Sequence, residues 1–131
     1  MTVRRIVVDH VLFVVSDLAA SRRFYEAALA PLGFEVMYEE EKCVAFGLAD
    51  ADDFMICRDG TSSTAAHVAF VAESRDAVDR FFDAAMGAGG RAKHPPGLRP
   101  EYHPGYYGAY VWDPDGNNVE AVYHGAGDSA A

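Results

Sequence analysis

Most of the chemistry this sequence can perform lies in its histidines, one glutamate in an apolar run and one aromatic-rich segment. His10 and His67 stand 57 positions apart, in segments that match residue for residue. Imidazole titrates near neutrality and is the commonest protein metal ligand. A lone histidine on a strand is usually structural, but two at equivalent places in a repeat favour ligation. Glu120 is flanked by Val119, Ala121 and Val122. Burying an unpaired carboxylate is costly, so a metal partner is expected, the alternative being an outward-facing Glu120 on an exposed strand. The stretch from His94 to Gly108 is long for a plain connection, and such loops tend to be functional. Within it Arg99 can hold an anionic substrate group, and Tyr106 and Tyr107 can line a cavity mouth. Tyr102 and His103 are candidates for general acid–base work. The bland alternative is a structural loop that packs its aromatics on a sheet. His94 and His124 are expected to be solvated.

Positioning these groups requires a repeated unit. Shifted by 57 positions, the chain matches itself without a gap over some 25 residues. His10-Val11 falls on His67-Val68, Phe13-Val14 on Phe70-Val71, Arg23-Phe24 on Arg80-Phe81, Ala27-Ala28 on Ala84-Ala85, and Gly33 on Gly90. Residues 6–15 read as a strand with Val8, His10, Leu12 and Val14 on one face. Ser16 or Asp17 is a plausible N-cap for a helix whose apolar stripe is Phe24, Tyr25, Ala28, Leu29 and Leu32, ended by Pro31 and Gly33. In the second half His67 to Ala72 is again a strand and Ser74 again a cap. Val78, Phe81, Phe82, Ala85 and Met86 form the stripe, and Gly87, Gly89 and Gly90 close the helix. Further strands are expected over 35–39, 43–48 and 54–58, then over 108–112 and 118–123, with a short one near 90–93. Asp113-Pro114-Asp115-Gly116-Asn117 reads as a tight hairpin turn. Each half is therefore β-α-β-β-β.

Bulk properties narrow the partners. One domain accommodates the 131 residues, with a first module over about 6–60 and a second over about 64–124. A net charge of -9 argues against nucleic acid, whose phosphates need clustered Lys and Arg. The opening residues superficially resemble a secretory signal, but Asp9 and His10 break the apolar run. No stretch approaches the roughly 20 apolar residues a membrane helix needs. Cys43 and Cys57 form no CxxC pair, and two cysteines do not make a disulfide scaffold, so a reducing, cytoplasmic setting is expected. The small, polar tail from Gly125 is expected to be disordered.

Asp9-His10-Val11, Ser16-Asp17-Leu18, Phe24-Tyr25-Glu26-Ala27-Ala28-Leu29 and Pro31-Leu32-Gly33-Phe34 resemble the opening unit of the glyoxalase/bleomycin-resistance/extradiol-dioxygenase, or vicinal-oxygen-chelate, superfamily. Residues 113–120 resemble its closing hairpin, and the likeness spans about residues 6–124. It implies an α+β fold of two tandem βαβββ modules whose curved mixed sheets surround a cavity. In metal-binding members a first-strand His and a last-strand Glu of each unit point into that cavity. Carried over position by position, this gives His10, His67 and Glu120. The fourth place falls on Met55, which cannot ligate as a carboxylate does, and Asp53 is a weak substitute two residues away. The set thus departs from the four-ligand glyoxalase I pattern and looks like the two-His, one-carboxylate set of the dioxygenase branch.

Two imidazoles and one carboxylate suit Fe(II), Mn(II), Zn(II) or Ni(II) and leave positions open for substrate. The resemblance therefore implies a divalent-metal-dependent enzyme acting on a small oxygenated molecule by lyase, isomerase or dioxygenase chemistry. The alternative is a non-catalytic protein that sequesters a small molecule, as bleomycin-resistance proteins do. A homodimer is expected, because members pair their units within a chain or across a dimer. Proficient glyoxalase I activity is not expected, since Met55 stands where the second glutamate would act as base.

Overall fold

The computed structural model describes residues 8–49, 51–62 and 64–125. The first residues of the expected opening strand and the tail beyond Gly125 lie outside them. The first module runs β1 (Val11–Val14), α1 (Leu18–Leu29), β2 (Glu35–Glu39), β3 (Cys43–Gly47) and β4 (Phe54–Cys57). The second runs β5 (His67–Val71), α2 (Arg75–Gly87), β6 (Arg91–Leu98), β7 (Tyr107–Trp112) and β8 (Asn118–Tyr123). Each forms its own four-stranded sheet, ordered β1-β4-β3-β2 and β5-β8-β7-β6. The β1–β4 and β5–β8 pairs are parallel and the others antiparallel. Two βαβββ modules of α+β type are thus present.

The helices begin where short polar side chains can accept from an orphan amide. Asp17 accepts from the Ala20 amide and Ser74 from the Ala77 amide, each at 3.0 Å. A short 3-10 turn, Ala30–Leu32, follows α1 and ends at Gly33 with φ 92°, a conformation glycine adopts without strain. Phe24, Tyr25, Ala28 and Leu29 of α1 are fully buried, as are Val78, Phe81 and Ala85 of α2. Met86, expected on the stripe, is 38% exposed and lies outside it. The two helices pack on each other, and Gly90 lets them close up, because a Cβ there would stand 2.7 Å from Phe24 Cε1. One apolar cluster spans both modules. Phe70 of β5 meets Phe54 of β4 edge-on at 5.4 Å, and Phe34 at the same distance.

Packing the helices together leaves each sheet with a second face turned away from the core. Phe13 of β1 and Phe70 of β5 face inward. Leu12 of the first sheet, with His10 just before β1, and His67, Ala69 and Val71 of the second are exposed away from the core.

The modules are also joined through a polar hub. Asp113, 1% exposed, accepts from Tyr25 Oη at 2.5 Å and from the amides of Asp115 and Asn117 at 2.9 and 2.8 Å. It also accepts from Asn117 Nδ2 at 3.0 Å, while Asn117 Oδ1 accepts from the Ala66 amide at 3.1 Å. Ser16 adds a hydroxyl donor to Asp115 at 2.5 Å. The Tyr25 phenol ionises well above its ordinary range, first because it is buried and then because Asp113 faces it.

Two expectations are corrected. Cys43 and Cys57 face each other across the β3–β4 ladder and form a disulfide. The reducing, cytoplasmic setting thereby loses the argument drawn from unpaired cysteines. The segment after α2 is not a short strand and a long loop. β6 continues through Pro95 and Pro96 to Leu98 with two register shifts. Proline lacks an amide donor and is tolerated on an edge strand, which β6 is. No helix of the described residues is long and apolar enough to cross a membrane.

Asp113→Ala strands three buried donors and is expected to cost about 2–4 kcal/mol, whereas Tyr25→Phe, which leaves Asp113 its other partners, costs about 1 kcal/mol. Denaturant unfolding at neutral pH measures both, and an Asp113→Ala loss no larger than that of Tyr25→Phe would remove the hub from the account.

Candidate functional site

The site is assembled by strand register. Parallel pairing sets Ala69 opposite Glu120, so His67, two residues earlier on the same face, reaches along the ladder to Glu120. His67 Nε2 donates to Glu120 Oε1 at 2.9 Å. The imidazole is half-exposed while the carboxylate is 2% exposed. Antiparallel pairing sets Tyr110 opposite Glu120 and Trp112 opposite Asn118, which places both aromatics on the same face.

Residues 99–106 fold back over this face. Tyr106 Oη donates to Glu120 Oε2, so both carboxylate oxygens are engaged. Gly108 makes room for the contact, since a Cβ there would lie 3.3 Å from both Glu120 Oε2 and Tyr106 Cε1. Burial, with the hydrogen bond to Glu120, raises the Tyr106 phenol far above its ordinary value and keeps it protonated. Burial also pushes Tyr110 up to about 12. Tyr102 packs on Tyr106 with ring centroids 4.9 Å apart, and is itself 61% exposed.

A cavity of about 290 Å³ opens beside the pair, with His67, Lys93, Arg99, Tyr102 and Tyr110 among its walls. A larger one, about 580 Å³, lies elsewhere between the start of α1 and the β2–β3 turn. Its Arg22 is already paired with Glu26 and Glu39, and no residue of the His67–Glu120 cluster lines it.

Not every expected residue converges here. His10 lies just before β1 in the first module, is exposed, and hydrogen-bonds Asp9 at 2.7 Å. Within one chain, no group of three His, Cys, Asp or Glu side chains among the described residues is placed to hold a metal. Asp53 is committed elsewhere, accepting from the Leu48 amide at 3.2 Å. Met55 pairs with Leu12, as Glu120 pairs with Ala69, so Met55 is the true counterpart of Glu120. Tyr107 turns to the helix side, donating to Asp79 Oδ1 at 2.7 Å beneath Arg75, and is removed from the substrate-binding set. Both ring nitrogens of His103 are occupied, Nδ1 by the Pro104 carbonyl at 2.7 Å and Nε2 by His124 Nδ1 at 3.0 Å. His103 therefore braces the loop, and His124, exposed as expected, stacks on it. Arg99 does line the cavity, its guanidinium 5.4 Å from the Tyr110 ring centroid. Tyr110, Lys93 and Asn118 escaped the sequence reading. Alternation along residues 108–112 and 118–120 is the signal that would have found Tyr110 and Asn118.

A family model for the Glyoxalase/Bleomycin resistance protein/Dioxygenase superfamily matches residues 7–121. A glyoxalase/bleomycin resistance protein from Albidiferax ferrireducens T118 has a similar structure, with 31% identity and a TM-score of 0.76, covering 88% of this chain and 96% of that one. Glyoxalase I from Zea mays is 24% identical with a TM-score of 0.68, the match covering 88% of this chain and 45% of the maize chain. A glyoxalase-related enzyme from Fulvimarina pelagi is 20% identical with a TM-score of 0.67, covering 88% and 86%. These last two likenesses concern the fold alone. No curated protein sequence matches significantly.

The raised phenols carry a pH signature. Unfolded tyrosines release their protons near pH ~10, while Tyr106 and Tyr110 in the folded chain hold theirs to higher pH. The unfolded state then binds fewer protons, so stability must fall as pH rises above about 10. Denaturant midpoints across this range are expected to fall less steeply in Tyr106→Phe and Tyr110→Phe than in the wild type. Superimposable slopes would show that neither phenol is held back.

Proposed function

The chain belongs to the glyoxalase/bleomycin resistance protein/dioxygenase superfamily, and from that premise we propose that it is a divalent-metal-dependent enzyme acting on a small oxygenated molecule. The observation that carries this reading is the pairing of His67 Nε2 with Glu120 Oε1 on the open face of the second sheet. An imidazole and a carboxylate, one half-exposed and the other buried, are suitable donors for Fe, Mn, Zn or Ni. When bound, such an ion polarises substrate oxygens and stabilises negative charge developing on them.

We further propose that the third ligand, His10, comes from a second copy in a homodimer. His10 and His67 occupy equivalent places on outward faces that also expose Leu12 at 45% and Val71 at 66%. Covering such apolar strands with a symmetric partner removes them from water and brings His10 of one copy toward His67 and Glu120 of the other.

Within this site Glu120 holds the His67 ring in place. Tyr106, protonated through the neutral range, is a donor that can pass from Glu120 Oε2 to a substrate oxygen. Tyr102 closes the mouth. Tyr106 thus takes the proton-donor role expected of Tyr102 or His103. The reaction class among lyase, isomerase and dioxygenase follows from the substrate. Proficient glyoxalase I activity is not expected, because Met55 offers no base where Glu120 has its counterpart. A lost general base typically costs about 10²–10⁴-fold in rate.

Elemental analysis of protein purified without chelator or nickel resin is expected to find a stoichiometric divalent ion, lost in His10→Ala, His67→Ala and Glu120→Ala. Mixing His10→Ala with His67→Ala subunits is expected to restore about a quarter of the sites after random exchange, since each mixed twofold dimer has one intact site. A metal-free wild type would sink the enzyme reading in favour of sequestration. A metal-loaded species that sediments as a monomer would sink the shared site alone.

A further inference from the structure

The cavity beside His67 holds two cations that the proposed chemistry does not use. Lys93 Nζ lies 5.1 Å from the Trp112 ring centroid and 5.9 Å from that of Tyr110, and the Arg99 guanidinium is 5.4 Å from Tyr110. Acidic residues outnumber Lys and Arg 20 to 11 in this chain. Arg22, Lys42 and Arg80 each have a carboxylate partner. Lys93 and Arg99, like Arg23, Arg58 and Arg91, have none among the described residues, but these two share one cavity and rest on aromatic faces, which hold a cation without neutralising it. Arg99 Nε is also buried with no hydrogen-bond partner, as is Asn118 Oδ1 on the same cavity wall. A buried donor left unpaired costs free energy, so these groups are arranged for something that completes them.

We propose that this cavity is an anion subsite, in which Lys93 and Arg99 bind the carboxylate or phosphate end of a small substrate whose other end reaches His67 and Glu120. The proposal rests on the functional reading above for the second half of that statement; capture of the anion does not require a metal. A guanidinium presents a planar fork that matches either oxyanion, and a lysine adds a point charge. Bulges in β6 on either side of His94 re-aim the edge strand, so Lys93 turns over Trp112 and Tyr110 on the Glu120 face. The volume of about 290 Å³ is at the lower edge of ligand pockets, which favours a small metabolite over a bulky conjugate. The Asn118 amide, in either orientation, faces the same space and suits a hydroxyl or carbonyl beside the anion. The opposing charges are Glu120, already held by His67 and Tyr106, and Glu101 on the cavity wall.

Trp112 is the sole tryptophan and serves as an internal reporter. Chelator-treated full-length protein is titrated with inorganic phosphate and, separately, with malonate, at constant ionic strength set with chloride. A saturable fluorescence change with a Kd of about 1 mM or tighter is expected for at least one of them, and the stronger arm identifies phosphate or carboxylate as the class. Arg99→Gln and Lys93→Gln are each expected to weaken binding about tenfold or more, and Glu101→Gln to tighten it. Because Lys93→Gln alters the surroundings of Trp112, its affinity is also read from the anion-dependent rise in thermal midpoint. Anion binding is read on chelator-treated protein and metal content on untreated protein, so the subsite and the metal reading can fail separately. Unchanged affinity in both the Arg99 and Lys93 variants, or saturation by neither anion, overturns the proposal.

Discussion

Asp113 sits almost out of reach of solvent at the turn between the last two strands, and its carboxylate gathers donors from both halves of the molecule. An isolated carboxylate in that position would be expensive. Four hydrogen bonds offset the cost and at the same time specify geometry. The amides of Asp115 and Asn117 shape the turn that pairs β7 with β8. Asn117 then holds the Ala66 amide just before β5, which sets the β5–β8 register, and that register brings His67 to Glu120. Tyr25 extends the hub into α1 and ties the first module to the second. The site is thus a consequence of a structural network that lies on the core side of the same strands.

Duplication supplies the symmetry on which the site draws, and divergence breaks it. Leu12 pairs with Met55 as Ala69 pairs with Glu120, so the two modules present the same four positions. One set is histidine and methionine, the other histidine and glutamate. Met55 can fill space but not carry charge. Its module accordingly keeps an apolar outer face, crossed by the Cys43–Cys57 disulfide, whereas the second module places a buried carboxylate, two raised phenols and two cations with no carboxylate partner among the described residues on the corresponding face.

The repeat, both helices with their caps, and the closing turn were legible because each leaves a local signal: helical periodicity, a polar cap, a Pro-Gly turn. Glu120 stood out as a charge in an apolar run. What could not be read was how side chains distribute between the two faces of an irregular strand. β6 shows why, since its bulges and two prolines erase the alternation that would have marked Lys93. Tyr107 and Tyr106 are neighbours in sequence and point to opposite sides, one to Asp79 and one to Glu120; only the register of β7 separates them. The disulfide was invisible for a related reason, because cross-strand proximity depends on the β3–β4 register and not on spacing along the chain.

The same asymmetry explains why the second face is closed while the first is bare. Tyr106 reaches Glu120 only because residues 99–106 return over the sheet, and the return is braced from outside by the His103–His124 contact. This cover desolvates Glu120 and Tyr110, which raises the phenol and strengthens every hydrogen bond to the carboxylate. The first module joins β3 to β4 by a shorter connection, and among the described residues none covers Leu12, which is 45% exposed. A covered polar face beside a bare apolar one, each with its histidine at the same place, is a surface that a twofold axis can complete by laying the bare face of one copy against the site of another. In that arrangement the loop would be bounded by protein on both sides. Tyr106, already held between Glu120 and the Tyr110 hydroxyl, would then meet whatever oxygen the substrate places beside it.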